Sequence, residues 1–170
     1  MTAQSVQTAT RIAWWRGSRG EWYVFLQLVL ASVVLVGPRS LAGWPSWSFP
    51  WPLVATTAGV VLIGCGAALV VAGIFKLGSN LTAVPRPKDS GTLVQTGPYA
   101  IVRHPMYSGA ILIAFGWALH AMGWLTLGYA AIFALFFDVK SRREERWLAA
   151  RYPGYADYQR RVRKLIPFLY

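Results

Sequence analysis

The chain has 170 residues, one domain's worth, and is 55% hydrophobic with nine tryptophans, yet it carries a formal net charge of +11. A soluble domain of this size cannot enclose so much apolar surface. Nucleic-acid binders, the usual owners of such a charge, do not carry long charge-free apolar runs, so the composition points to a membrane protein.

The elements follow in chain order. Arg11, Arg16 and Arg19 precede an uncharged run over residues 22–36, WYVFLQLVLASVVLV, which predicts a first membrane helix. The same pattern followed by Ser-Leu-Ala-Gly at 40–43 also fits a signal peptide cleaved after Ala42, although Pro38 and Arg39 just ahead of that site oppose cleavage. Residues 37–50 form an outer loop whose Trp44 and Trp47, together with Trp51, suit the headgroup zone. A second charge-free run spans residues 51–75, longer than the ~20 residues a crossing needs. Its GCGAAL segment, 64–69, lacks the preceding strand of a dinucleotide site. Gly64, Ala68 and Ala72 instead predict a small-residue packing stripe. The lone Cys65 excludes a disulfide framework and a cysteine metal cluster, and no metal site is expected.

From 105 to 139 the ionisable groups are His120 and Asp138, with tyrosines at 107 and 129. That length suits two helices in a short hairpin, hinged at HAMGW, 120–124. Beyond it the chain turns strongly polar, with two amphipathic helices separated at Pro153-Gly154 and laid against the membrane face. The expected fold is therefore an all-α integral membrane protein: about four transmembrane helices, helices three and four forming the hairpin, and amphipathic cytoplasmic C-terminal helices. It is a single domain over 1–170, with residues 1–75 carrying the first two helices and 76–170 the loop, hairpin and tail. Sixteen of the seventeen Lys and Arg residues fall on one side of this arrangement, Arg39 alone on the other. The positive-inside rule makes the populated side cytoplasmic, with both termini there, as in a bacterial inner membrane.

The stretch GTLVQTGPYAIVRHPMYSGA, 91–110, places Tyr99, Arg103, His104 and Tyr107 at the cytoplasmic mouth of the third helix. Pro105 fits a first helical turn, where its missing N–H would have no partner anyway. An interfacial collar is the plain account of each residue alone. Hairpin geometry, however, should bring residues 140–145 beside 103–107, adding Glu144 and Glu145, two of only six acidic residues, as groups for an amino-bearing ligand.

GPYAIVRHPMYSG followed some forty residues on by EERWLAARYPGYADYQRRVRKLIP resembles the isoprenylcysteine carboxyl methyltransferase family, within the phospholipid methyltransferase-like superfamily. The resemblance covers about residues 82–168. It implies S-adenosylmethionine as methyl donor, held without a Rossmann domain by Gly91, Thr92, Leu93, Val94, Tyr99, His104, Pro105, Met106, Tyr107, Glu144 and Glu145. It also implies a lipophilic acceptor entering from the bilayer, an isoprenylcysteine-like carboxylate among the candidates, with Arg103 and Lys140 as the groups acting on it. The family often has histidine where Gly91 stands and arginine where Lys140 stands, and a lysine keeps the charge but not the fork that grips a carboxylate. A carboxylate acceptor is already ionised at neutral pH, so no strong general base is required. No nucleic acid and no protein partner is implied. Two other readings stand beside this one: an NADPH-dependent membrane reductase of the sterol type, and a non-enzymatic scaffold whose tail binds anionic lipid.

Overall fold

A computed structural model describes residues 20–44, 47, 52–82, 91–167 and 169–170. Arg11, Arg16, Arg19, Trp51, Arg86 and Lys88, which enter the charge and interface arguments above, lie outside the described residues. Among the described residues the protein is all-helical: α1 Glu21–Val36, α2 Pro52–Leu77 with a 3-10 turn at Gly78–Asn80, α3 Pro98–Ile101, α4 Pro105–Ala121, α5 Trp124–Arg151 and α6 Tyr155–Arg161. One isolated β-bridge joins Val102 to Arg163.

Two of these helices, α2 and α5, are long and apolar enough to cross a membrane. At 16 and 17 residues, α1 and α4 are shorter than the ~20 that span a typical hydrocarbon core. Large apolar side chains point outward along α1 and α2, among them Phe25, Leu28, Leu53, Val61 and Phe75, a surface suited to lipid and costly in water. The apolar part of α5 ends near Val139, and the same helix runs on through the charged segment to Arg151. Here the structure differs from the sequence expectation: no break separates the last membrane helix from the first amphipathic one, because nothing between Asp138 and Arg146 disfavours helix. The chain turns at Tyr152–Gly154, as Pro153-Gly154 predicts, and α6 follows. The hairpin turn is also where the sequence places it. Met122 adopts φ 48, its N–H bonding back to α4, and Gly123 leads into α5.

The α2–α4 pair is antiparallel and the most extensive helix contact in the fold. It is built on glycines seven residues apart. A Cβ on Gly59 would lie 2.6 Å from the Gly116 carbonyl oxygen, and one on Gly66 would lie 2.5 Å from that of Gly109. Gly73 meets Met106 in the next step down the seam. Such approach of backbone to backbone is the packing that membrane helices use in place of a hydrophobic driving force. It corrects the expected stripe: Gly64 has nothing near it, and Ala68 and Ala72 are exposed. Two helical turns between glycines keep one face towards α4, whereas a strict four-residue step drifts around the helix.

Behind this pair, Phe133, Phe136 and Phe137 of α5 close on Ala114 and Ala118 of α4 and Val34 of α1. Antiparallel α1 and α5 bring Gly37 to Tyr129 at one end and Gln27 to Lys140 at the other. Arg39 and the 121–124 turn therefore share one end, with the Leu125 N–H donating to the Arg39 carbonyl (3.2 Å). The 3-10 turn, α3, the start of α4 and the charged half of α5 gather at the opposite end.

Candidate functional site

At that polar end, Pro98 starts α3 and Pro105 starts α4, and the extended residues between them are gripped by the C-terminal tail. The Arg103 N–H donates to the Arg163 carbonyl (2.8 Å) and the His104 N–H to that of Lys164 (3.1 Å). Ser108 Oγ donates to the Leu165 carbonyl (2.6 Å), and Tyr158 OH to that of Tyr99 (2.6 Å). A tail with no long helix of its own is thus ordered by backbone pairing.

Between the tail, α5 and the end of α2 lies a cavity of about 430 Å³, within the usual range for a small-molecule site. Gly91, Thr92, Leu93, Val94, Tyr99, Arg103, His104, Pro105, Met106, Tyr107, Lys140 and Glu144 all line it. The structure thus brings together in one place residues that the sequence spreads over fifty positions. Tyr107 is the centre of the cluster. Its ring stacks on His104 (centroids 5.3 Å apart) and on Phe137 (4.7 Å), and its hydroxyl donates to Glu144 Oε2 (2.7 Å). Lys140, 3% exposed, donates from Nζ to Gln27 Oε1 (2.6 Å), and Nζ lies 4.9 Å from the centre of the Tyr107 ring. The Thr92 N–H donates to Asn80 Oδ1 (2.9 Å) and Tyr152 OH donates to the Gly91 carbonyl (2.7 Å), which fix the 91–94 segment against α2 and the tail.

Two expected site residues play other parts. Glu145 does not line the cavity. One of its carboxylate oxygens accepts from Arg103 Nε (2.7 Å) and lies 3.2 Å from His104 Nε2, while the other accepts from Gln159 (3.2 Å). Arg103 lines the cavity, and its Nη1 also donates to the carbonyls of Gln159 (3.1 Å) and Val162. The guanidinium thus joins the tail to α5 through Nε and Nη1 while standing in the cavity wall.

The electrostatics follow from these contacts. Burial alone would raise the Glu145 carboxyl, but the hydrogen bonds and charges of His104 and Arg103 outweigh it and hold the group at about 2. Because the folded protein binds this proton less readily than the unfolded chain, Glu145 stabilises fully above the ordinary carboxylate pKa of ~4.5. That contribution is lost as the pH falls through about 2. Thermal melts in detergent at pH 7, 5 and 3 should show the tail loosening towards the acid end, and Glu145→Gln should flatten that dependence. Burial pushes Tyr99 up to about 12, with the Glu144 charge adding to it, and raises Tyr155 and Tyr158 further. These phenols remain protonated, and that of Tyr158 donates to the Tyr99 carbonyl.

Gln27, Asn80, Tyr152, Tyr155 and Tyr158 also line the cavity, and the sequence reading did not place them there. Gln27 had a signal, since it is the one amide within the apolar α1 run. The three tyrosines recur every third residue, a pattern that reads equally as the apolar side of an amphipathic helix. Among the described residues, no group of three or more His, Cys, Asp or Glu side chains could hold a metal ion.

Comparison with known proteins extends this picture. Similar curated proteins include the cobalt-zinc-cadmium resistance protein CzcN of Cupriavidus metallidurans, 32% identical over 88% of this chain and 63% of that protein. They also include the protein-S-isoprenylcysteine O-methyltransferase of Mus musculus, 32% identical over 74% of this chain and 45% of the mouse protein. This chain therefore spans less than two thirds of the length of these curated relatives. The solved structure of a eukaryotic intramembrane Ras methyltransferase, an isoprenylcysteine carboxyl methyltransferase, superposes with a TM-score of 0.64 at 23% identity, over 88% of this chain and 52% of that one. At that identity the likeness speaks for the fold. The family model described as phospholipid methyltransferase matches residues 54–154, reaching back across α2 beyond the segment that carries the resemblance in sequence. The matched span takes in more than half of the chain and holds most of the cavity lining; the chain belongs to the phospholipid methyltransferase family.

Proposed function

We propose that this protein is an integral membrane methyltransferase that uses S-adenosylmethionine and methylates a lipophilic acceptor. The observation that carries the reading is the joining of Tyr107, Glu144 and the 91–94 segment around one cavity at the boundary between apolar helix and charged tail. Family membership supports a transferase over a reductase. The proposed setting is a four-crossing protein with this end cytoplasmic, since Lys76, Arg103, Lys140 and the basic tail all lie there.

The donor, when bound, supplies an electrophilic methyl group on sulfonium. The residues present fit such a group. Glu144 offers a carboxylate for its amino function, the 91–94 backbone and Asn80 offer amides and carbonyls, and Leu93, Val94 and Met106 offer apolar walls. The chain's own work is positioning and exclusion of water, the main demands of displacement at a methyl carbon. Val24 and Gln27 of α1 and Val70 and Ile74 of α2 also line the cavity, and these residues would receive the acceptor. Lys140, buried against Gln27 and the Tyr107 ring, is the cation placed to meet an anionic acceptor such as an isoprenylcysteine-like carboxylate.

Calorimetric titration of the detergent-purified protein with S-adenosylhomocysteine and, separately, NADPH tests the reading. Saturable binding of the first alone is expected. Glu144→Gln, which keeps the shape but removes the charge, should weaken it about 10- to 100-fold, as for loss of a hydrogen bond to a charged group. Binding of NADPH alone would overturn the proposal.

A further inference from the structure

Among the described residues Tyr155 is the largest fully buried side chain, 1% exposed, and it lines the cavity. Its hydroxyl has no hydrogen-bond partner among them. The contrast with its neighbours is direct. Tyr107 donates to Glu144, Tyr152 to the Gly91 carbonyl and Tyr158 to the Tyr99 carbonyl. Folded proteins leave few buried polar atoms unmatched, and an orphan beside a cavity calls for a partner that arrives with a ligand. Nor can the ring swing away to find water. The Tyr155 N–H is bonded to the Tyr152 carbonyl (2.9 Å), and its ring meets the Tyr158 ring edge-on at 5.8 Å.

Charge narrows the partner. The carboxylates of Glu145 and Glu144 and the guanidinium of Arg103 all act on the Tyr155 hydroxyl. Two negative groups against one positive group leave an environment unwelcoming to a further anion. A neutral acceptor is favoured, and the phenol, held protonated by burial and by these carboxylates, has a proton to give it.

We propose that Tyr155 is a ligand-binding residue whose hydroxyl donates to a neutral acceptor, a sugar hydroxyl oxygen or a ring nitrogen, on the nucleoside half of the methyl donor. This rests on the proposed function and assigns a residue of the same cavity. The amino-acid half, by contrast, carries a carboxylate and has Glu144 to meet its amino group.

The test compares the full-length protein with Tyr155→Phe in detergent. Each is titrated with S-adenosylhomocysteine and with methylthioadenosine, which keeps the nucleoside and lacks the amino acid. Both ligands should bind Tyr155→Phe about three- to tenfold more weakly, the worth of one neutral hydrogen bond. Without ligand the variant should melt no lower than the parent, since the deleted hydroxyl has no partner in the fold. Unchanged affinity for both ligands would overturn the assignment, as would a loss confined to S-adenosylhomocysteine. A variant that folds poorly would overturn it too, by revealing a structural partner for the hydroxyl. Failure of the parent protein to bind S-adenosylhomocysteine would instead overturn the proposed function, and this assignment with it.

Discussion

Arg103→Met will destabilise the protein by about 3–5 kcal/mol, the usual cost of stripping one partner from a buried ion pair. The side chains of Arg103 and Glu145 are each 11% exposed, so solvent does little to soften the loss. The substitution leaves Glu145 with His104 and Gln159, and it frees the carbonyls of Gln159 and Val162, which then have no donor at the root of the tail. Proteolysis should release the segment after α5 far more readily than in the parent. Methyl transfer, on the proposed function, should fall with it, because Tyr152, Tyr155 and Tyr158 enter the cavity wall from that segment. The double variant Arg103→Met, Glu145→Met should recover much of the stability, since no charge is then buried alone. A single variant with an unchanged melt and a selective defect towards the acceptor would leave Arg103 only the acceptor-binding part that the sequence suggested, without the structural one.

The structural part of Arg103 shows where the sequence was legible and where it was not. The all-helical build, the hairpin turn at Met122–Gly123 and the meeting of Tyr107 with Glu144 follow from hydropathy, from a glycine and from the run length between two charged segments. Each is a local property, or depends only on how far a helix carries the chain. The fate of Arg103 is different. Whether a guanidinium faces a cavity or a neighbouring loop depends on how the tail lies, and the tail is placed by backbone pairing of Val102–His104 with Arg163 and Lys164, which leaves no mark on composition. The same holds for Tyr155. Its position on the apolar side of a short helix was readable; that its hydroxyl would be the unmatched one was not, since Tyr152 and Tyr158 find their partners in the backbone carbonyls of the distant Gly91 and Tyr99. The packing seam of α2 failed for another reason. Glycines at 59, 66 and 73 and at 109 and 116 are spaced by seven, a repeat hidden by the more conspicuous small residues at 64, 65, 67 and 68, which face outward around Gly66.

That seam makes the second large effect. Gly109→Val should separate α2 from α4 and abolish most activity, whereas Gly64→Ala should do nothing. A Cβ at 109 would lie 2.5 Å from the Gly66 carbonyl oxygen and 3.0 Å from the Val70 nitrogen. Both are backbone atoms of a regular helix and cannot turn aside as a side-chain tip can. Relief requires the helices to move apart, which forfeits the close contacts of the Gly59–Gly116 step as well; overpacking of this kind costs about 1–3 kcal/mol, and valine adds two methyl groups to the clash. The consequence reaches the site because the seam and the cavity share residues. Pro105 and Met106 sit against Gly73 and also line the cavity, while Val70 and Ile74 form its α2 wall. A shift of about 1 Å in such walls can cost on the order of 100-fold in rate by spoiling the alignment of the reacting groups. Gly64 has open space around it on the lipid-facing side, so alanine there touches nothing and gains helix propensity. Melting temperature and methyl transfer measured on the two variants together separate the two faces of α2. If Gly64→Ala were the damaging change and Gly109→Val the silent one, the helix would have to be rotated about its axis, and the cavity wall with it.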